Sequence, residues 1–303
     1  MLGTRLVFGL MMVAGLVLAL VVDEQFAPFY PCWFVLATVA LGLAARELIG
    51  LLSETAAAPS GNSVVGGVLA LVIANWAPHL VAAQNHSLNL SALDYDPAGP
   101  LNVLAWPFLT FTAVIMLGFL IQGLQFERPG RTMAKIAGSI LAVAYLGLLS
   151  SFTLQMRWFS GHHQGLLALV FLFAVAKGAD TGAYAVGRLF GRRKLWPSLS
   201  PGKTIEGALG GLAAGVLAAL IVVAIAHYGL AAPTFTVAGA VVYGVFVSIA
   251  AQIGDLMESM IKRDCLRKDA SSSVPGFGGV LDVLDSILFA GPIAYLIWMG
   301  IGP

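Results

Sequence analysis

Gly207-Ala-Leu-Gly-Gly-Leu-Ala-Ala-Gly-Val-Leu-Ala-Ala-Leu-Ile-Val-Val-Ala-Ile-Ala226 runs from Glu206 to His227 without a charged side chain. A helix that crosses the hydrocarbon layer needs roughly 20 such residues, and this stretch supplies them. In lipid the backbone must satisfy its own polar groups, so a run of this kind is read as a membrane-spanning α-helix. Gly207, Gly210, Gly211 and Gly215 suit close approach of a neighbouring helix.

Working outward, windows of about 19 residues pick out similar runs near 5–22, 29–50, 63–83, 103–123, 134–152, 165–187, 236–254 and 280–299. Turn residues such as Pro28, Pro31, Gly61, Pro129, Gly130 and Pro233 separate them. The chain has 303 residues, 59% hydrophobic and 10% charged, whereas a soluble domain carries about 25% charged residues. No soluble domain fits between the runs. The expected fold is all-α, a polytopic transmembrane helical bundle of about nine membrane-spanning helices. The first run is longer than a signal-peptide core and lacks a clear small-x-small cleavage site, so it is read as a span. Residues 1–160 read as N-terminal transmembrane helices with almost no intramembrane charge. Residues 161–303 read as the catalytic transmembrane domain.

The 16 Lys and Arg residues orient these spans. With a cytoplasmic N-terminus, all but Arg157 and Lys177 fall on the cytoplasmic side or at that interface, a strong positive-inside bias. Segments 84–102 and 228–235, which carry no Lys or Arg, are then external. Formal net charge is +1, which gives no reason to expect a nucleic-acid partner. Cys32 and Cys265 fall on opposite faces, which excludes a disulfide between them.

Beyond residue 177 polar and charged side chains appear at membrane depth, where they are costly and usually functional. Lys177 and Asp180 share a helix face at i, i+3 and can pair, lining a substrate cavity. Ser200-Pro-Gly-Lys203-Thr204-Ile-Glu206 contains a Gly-Lys-Thr triplet. A P-loop would need glycine where Pro197 stands, so that motif is excluded. What remains is a turn opening a helix, whose free N–H groups and dipole favour an anion. The densest cluster is Gly254-Asp255, Glu258-Ser259, Lys262-Arg263, Arg267-Lys268-Asp269, Pro275-Gly-Phe277-Gly278-Gly279, then Asp282 and Asp285-Ser286. Two helices thus present carboxylates at their cytoplasmic ends, joined by a basic, Gly-rich loop. Carboxylates together with substrate phosphates are how Mg²⁺ is normally held.

These residues resemble the phosphatidate cytidylyltransferases (CDP-diacylglycerol synthases), whose signature is S-x-x-K-R-x4-K-D, then P-x-H-G-G, then x-x-D-R-x-D. Here it runs Ser259, Lys262-Arg263, Lys268-Asp269, Pro275 to Gly279, and Asp282 to Asp285. Phe277 replaces the signature His and Val283 the signature Arg. The likeness covers residues 177–290.

The resemblance implies that CTP and phosphatidate give CDP-diacylglycerol and diphosphate, in phospholipid biosynthesis at a bacterial cytoplasmic membrane. It implies a homodimer in contact with membrane lipids. Asp255, Asp282 and Asp285 would hold Mg²⁺, with room for a second cation, and Lys262 and Arg263 would act in catalysis. Lys177, Asp180, Ser200, Lys203, Thr204, Glu206, Ser259, Lys268, Asp269, Gly278 and Gly279 would bind substrate. The phosphate nucleophile is already ionised, so Phe277 in place of a histidine leaves the chemistry feasible. Another lipid phosphate as acceptor, a CTP-dependent lipid kinase, or a transporter coupled through Lys177 and Asp180 are the alternatives.

Overall fold

The computed structural model describes residues 14–87, 100–127, 129–160, 163–229, 232–271, 273–274 and 278–302. Among them eight helices are long and apolar enough to cross a membrane. They are α1 (Pro31–Leu52), α2 (Gly61–Ser87), α3 (Pro100–Leu124), α4 (Thr132–Trp158), α5 (Gln164–Phe190), α6 (Ile205–Gly229), α7 (Val237–Asp264) and α8 (Val280–Ile301). Of the expected first span, residues 14–23 are helical and the remainder lies outside the described residues. Leu109, Met116 and Leu124 on α3 are each more than two thirds exposed, a surface that suits lipid and not water. The chain is an integral membrane protein with an all-α helical core.

It divides into two compact units, Met1–Gln155 with Asp269–Leu281, and Met156–Lys268 with Asp282–Pro303. In the first, the fully buried Asp23 accepts hydrogen bonds from the N–H groups of Cys32 and Trp33, each at 2.9 Å. With Pro31 at the first turn, this acid closes the N-terminus of α1. Helices α2 and α4 share a buried polar network. Asn75 donates to Ser151 at 2.9 Å, Gln155 donates to Asn75 at 3.0 Å, and His79 meets Gln155 at 2.9 Å. Each polar group left unpaired in hydrocarbon would be costly, so a mutually satisfied set ties the two helices together. Midway along α4, Ala144–Leu148 widens into a π turn.

In the second unit α5 and α6 touch backbone to backbone. A Cβ on Gly211 would lie 2.8 Å from the Ala179 carbonyl oxygen, and one on Gly207 would lie 2.8 Å from that of Ala183. The small residues of 207–215 therefore do what their pattern implied. An aromatic cluster of Phe171, Phe235, Tyr243 and Trp298 joins α5, α7 and α8, with centroids 5.4 Å apart for Phe171–Trp298 and 5.6 Å for Phe171–Tyr243.

Two local structures differ from the sequence expectation. The hydropathy pattern ends a span at 254, yet α7 continues to Asp264. Apolar windows stop at the first acid, whereas the helix continues because Glu258 and Lys262 pair at i, i+4. The Ser200–Thr204 segment, expected as a helix-opening turn, is strand β2 and pairs antiparallel with β1 (Lys194–Trp196). Neither Cys32 nor Cys265 is in a disulfide.

Candidate active site

Helix α7 carries Gly254 next to Asp255, and the glycine decides how close α8 can come. A Cβ there would meet the Asp285 carbonyl oxygen at 2.5 Å and the Phe289 Cβ at 3.0 Å. With hydrogen in place of Cβ, the two backbones touch and their acids converge. Asp255, Glu258 and Asp285 each offer a carboxylate oxygen, and the three atoms lie within 4.8 Å of one another. Glu258 is fully buried and its Oε1 takes no hydrogen bond from any described residue. Such an arrangement is costly unless a cation is at hand. Hard oxygen donors at this spacing fit a divalent cation such as Mg²⁺, which takes carboxylates together with waters and phosphates.

Asp282 is not a member of that group. Its Oδ1 accepts from Lys262 Nζ at 2.7 Å, and the same ammonium pairs with Glu258. Lys262 is thus held between an acid of α7 and one of α8, with its side chain 12% exposed. Lys203, from β2, reaches Asp255 Oδ2 at 2.8 Å. The carboxylates are flanked by two ammonium groups from different elements.

Beside them, Lys177 Nζ donates to Asp180 Oδ2 at 3.1 Å, to the Val283 carbonyl at 2.9 Å and to Ser286 Oγ at 2.8 Å. Ser286 Oγ in turn donates to Asp180 at 3.1 Å. The expected Lys177–Asp180 pair therefore forms, and it is anchored on α8. Val283, standing where the signature has arginine, contributes its carbonyl to this lysine.

The hairpin residues divide by role. Thr204 is buried, and its hydroxyl accepts from Gly207 N at 3.1 Å, which makes it the N-cap of α6. Glu206 accepts from the N–H groups of Arg192, at 3.0 Å, and Arg193, at 3.1 Å, and so fixes the chain entering β1. Ser200 lies half-buried on β2. Arg263 is exposed; its Nε donates to the Leu199 carbonyl at 3.4 Å and its guanidinium to the Arg267 carbonyl at 3.3 Å. Ser259 is half-buried on α7, and Lys268 is exposed beyond its end. Asp269, Gly278 and Gly279 belong to the first unit. Phe277 lies outside the described residues.

Two side chains of the quoted cluster, Glu258 and Ser286, were given no role by the sequence. Glu258 falls three residues after Asp255 and four before Lys262, a helical spacing that places all three on one face. Ser286 follows Asp285 directly, and only its partners on α5 reveal its part.

The profile of the Cytidylyltransferase family matches residues 3–299. The phosphatidate cytidylyltransferase of Staphylococcus saprophyticus is 34% identical over 186 residues, 61% of this chain and 68% of that protein. That of Bacillus subtilis is 35% identical over 166 residues, 55% of this chain and 59% of that protein. That of Synechocystis is 29% identical over 290 residues, 87% of each. The aligned region thus spans less than two thirds of the Bacillus protein and most of the Synechocystis one. A match along nearly the whole chain, over two helices whose carboxylates converge beside Lys203 and Lys262, means that the chain belongs to the cytidylyltransferase family and is a membrane-embedded nucleotidyltransferase.

Proposed function

We propose that this chain transfers the cytidylyl group of CTP to phosphatidate, forming CDP-diacylglycerol and diphosphate for phospholipid synthesis. The observation that carries this reading is the convergence of Asp255, Glu258 and Asp285 beside Lys203 and Lys262. The relatives, phosphatidate cytidylyltransferases, supply the substrates.

A phosphate oxygen of phosphatidate forms a bond to the α-phosphorus of CTP. The bond from that phosphorus to the oxygen bridging the β-phosphorus breaks, and its electron pair leaves with diphosphate. The nucleophile is already ionised near neutral pH, so no strong base is needed. Repulsion between two anions and charge growth on the leaving group are the obstacles. A bound Mg²⁺ would reduce both. Asp255, Glu258 and Asp285 would hold that ion, while Asp282 keeps Lys262 in place. Lys262, Lys203 and Arg263 would meet phosphate oxygens, with Ser259 and Lys268 as further substrate contacts. Lys177, fixed by Asp180 and Ser286, would line the cavity. Ser200, Thr204 and Glu206 build the hairpin that brings in Lys203, and Asp269, Gly278 and Gly279 form the segment leading to α8.

The chemistry belongs to residues 161–303, with 1–160 as helical scaffold. The positive-inside bias supports a site facing the cytoplasm from a bacterial cytoplasmic membrane, and the family likeness supports a homodimer. One assay tests the function: purified protein with labelled CTP, Mg²⁺ and, in separate reactions, phosphatidate, polyprenol phosphate or a lipid alcohol, followed by product separation. Labelled nucleotide on phosphatidate is expected. Nucleotide on polyprenol phosphate alone, phosphate on a lipid alcohol, or no lipid product would each overturn the reading.

A further inference from the structure

Glu47 lies on α1, in a stretch the sequence reading left without chemistry. Its carboxylate is half-buried and fully engaged within the first unit. Oε1 accepts from Ser271 Oγ at 2.7 Å and from Val280 N at 3.1 Å, and Oε2 accepts from Leu281 N at 2.8 Å. Val280 and Leu281 open α8. The first N–H groups of a helix have no partner within it, and a carboxylate there is further favoured by the helix dipole. Here the cap comes from 233 residues away in sequence instead of from the preceding residue.

The glycines before α8 are built around that side chain. A Cβ on Gly279 would overlap the Glu47 carboxylate. Gly278 has φ +100°, which side-chain-bearing residues rarely adopt, and it exchanges two backbone hydrogen bonds with Val274, at 2.7 and 3.1 Å. Ser271, itself joined to Ser273 at 2.7 Å, closes the other side. The N-terminal N–H groups of Val280 and Leu281, a natural seat for a phosphate, are thereby taken by a protein carboxylate.

We infer that Glu47 is a positioning residue: by capping α8 and filling the space over Gly279, it fixes the turn of helix that carries Asp282 and, one turn on, Asp285. Gly279 serves as the place for this carboxylate, and nucleotide phosphates are met elsewhere. The inference rests on the proposed function for its kinetic readout but not for its binding readout.

Four variants test it: Glu47→Ala, Glu47→Gln, Gly279→Ala and the double variant Glu47→Ala/Gly279→Ala. For each, Mn²⁺ affinity per folded molecule is read by electron paramagnetic resonance, alongside detergent melting and kcat/KM for CTP. Direct outer-shell partners of metal ligands matter by about 10–100-fold; Glu47 acts one helical turn from Asp285, so Glu47→Ala is expected to weaken Mn²⁺ binding and kcat/KM by about 10-fold, the low end of that range, in protein that remains folded. Glu47→Gln keeps one acceptor oxygen and is expected to fall between. Gly279→Ala should be as harmful as Glu47→Ala alone, yet add little in the double variant, where its methyl has room. Unchanged Mn²⁺ affinity in folded Glu47→Ala, or fully additive losses in the double variant, would overturn the inference. A wild-type protein that binds Mn²⁺ but makes no CDP-diacylglycerol would overturn the proposed function and leave the Mn²⁺ comparison decisive for Glu47.

Discussion

Gly254 on α7 faces the main-chain carbonyl of Asp285 on α8 so closely that a Cβ on the glycine would lie 2.5 Å from that oxygen. Backbone cannot yield as a flexible side chain does, so Gly254→Ala must part the two helices. Overpacking of this kind costs about 1–3 kcal/mol. The larger effect is expected on activity, because the separation moves Asp285 from Asp255 and Glu258. Product formation should fall by more than about tenfold, the scale seen when metal-ligand support is lost, while membrane-inserted yield is retained. Activity near that of the wild type would show that the contact is not needed.

Glu258→Gln keeps shape and removes charge. It takes away one member of the carboxylate group and one of the two acids that hold Lys262. Turnover at saturating CTP should drop by about 100-fold, within the range for losing one preorganised electrostatic group. The Mg²⁺ concentration for half-maximal rate should also rise. A change in the CTP requirement alone, with the Mg²⁺ curve unmoved, would assign Glu258 to Lys262 and not to the cation.

Lys262→Ala leaves Glu258 and Asp282 without their shared ammonium. Breaking a buried ion pair by removing one partner costs about 3–5 kcal/mol, and this pair is nearly enclosed. A lower melting temperature in detergent is expected together with a raised KM for CTP. Lys262→Ala with unchanged melting and unchanged CTP dependence would contradict both roles.

Ser286→Ala removes the hydroxyl that bridges Lys177 and Asp180. Hydrogen bonds to charged groups contribute about 1.5–3 kcal/mol. The variant should stay folded, since the Lys177–Asp180 pair and the Val283 carbonyl persist, and kcat/KM for phosphatidate should fall by roughly tenfold, the factor that corresponds to 1.4 kcal/mol. A defect in CTP use with normal lipid use would place this trio on the nucleotide side.

The membrane-spanning fold was legible because lipid imposes one constraint, long apolar helices, on every span. Runs such as 207–226 state it openly. The Lys177–Asp180 pair was legible for a similar reason, as its geometry follows from i, i+3 spacing alone. Hairpin β1–β2 was hidden because Ser-Pro-Gly-Lys-Thr carries turn signals and only three residues of the opposing strand. The exchange of Asp282 for Glu258 among the clustered acids was hidden as well. Spacing places Asp282 and Asp285 on nearly the same face, and only the Lys262 ammonium, arriving from α7, sets them apart. Glu47 was beyond reach because its partners lie more than 220 residues further along the chain.

The central claim is that Asp255, Glu258 and Asp285 hold the cation on which cytidylyl transfer depends, while Asp282 fixes Lys262. Mn²⁺ titration followed by electron paramagnetic resonance, on wild-type, Asp282→Asn and Asp285→Asn protein, tests it most directly. We expect Asp285→Asn to weaken Mn²⁺ binding by about tenfold or more, and Asp282→Asn to leave it within about threefold of wild type. Loss of binding in Asp282→Asn, with binding retained in Asp285→Asn, would contradict the assignment.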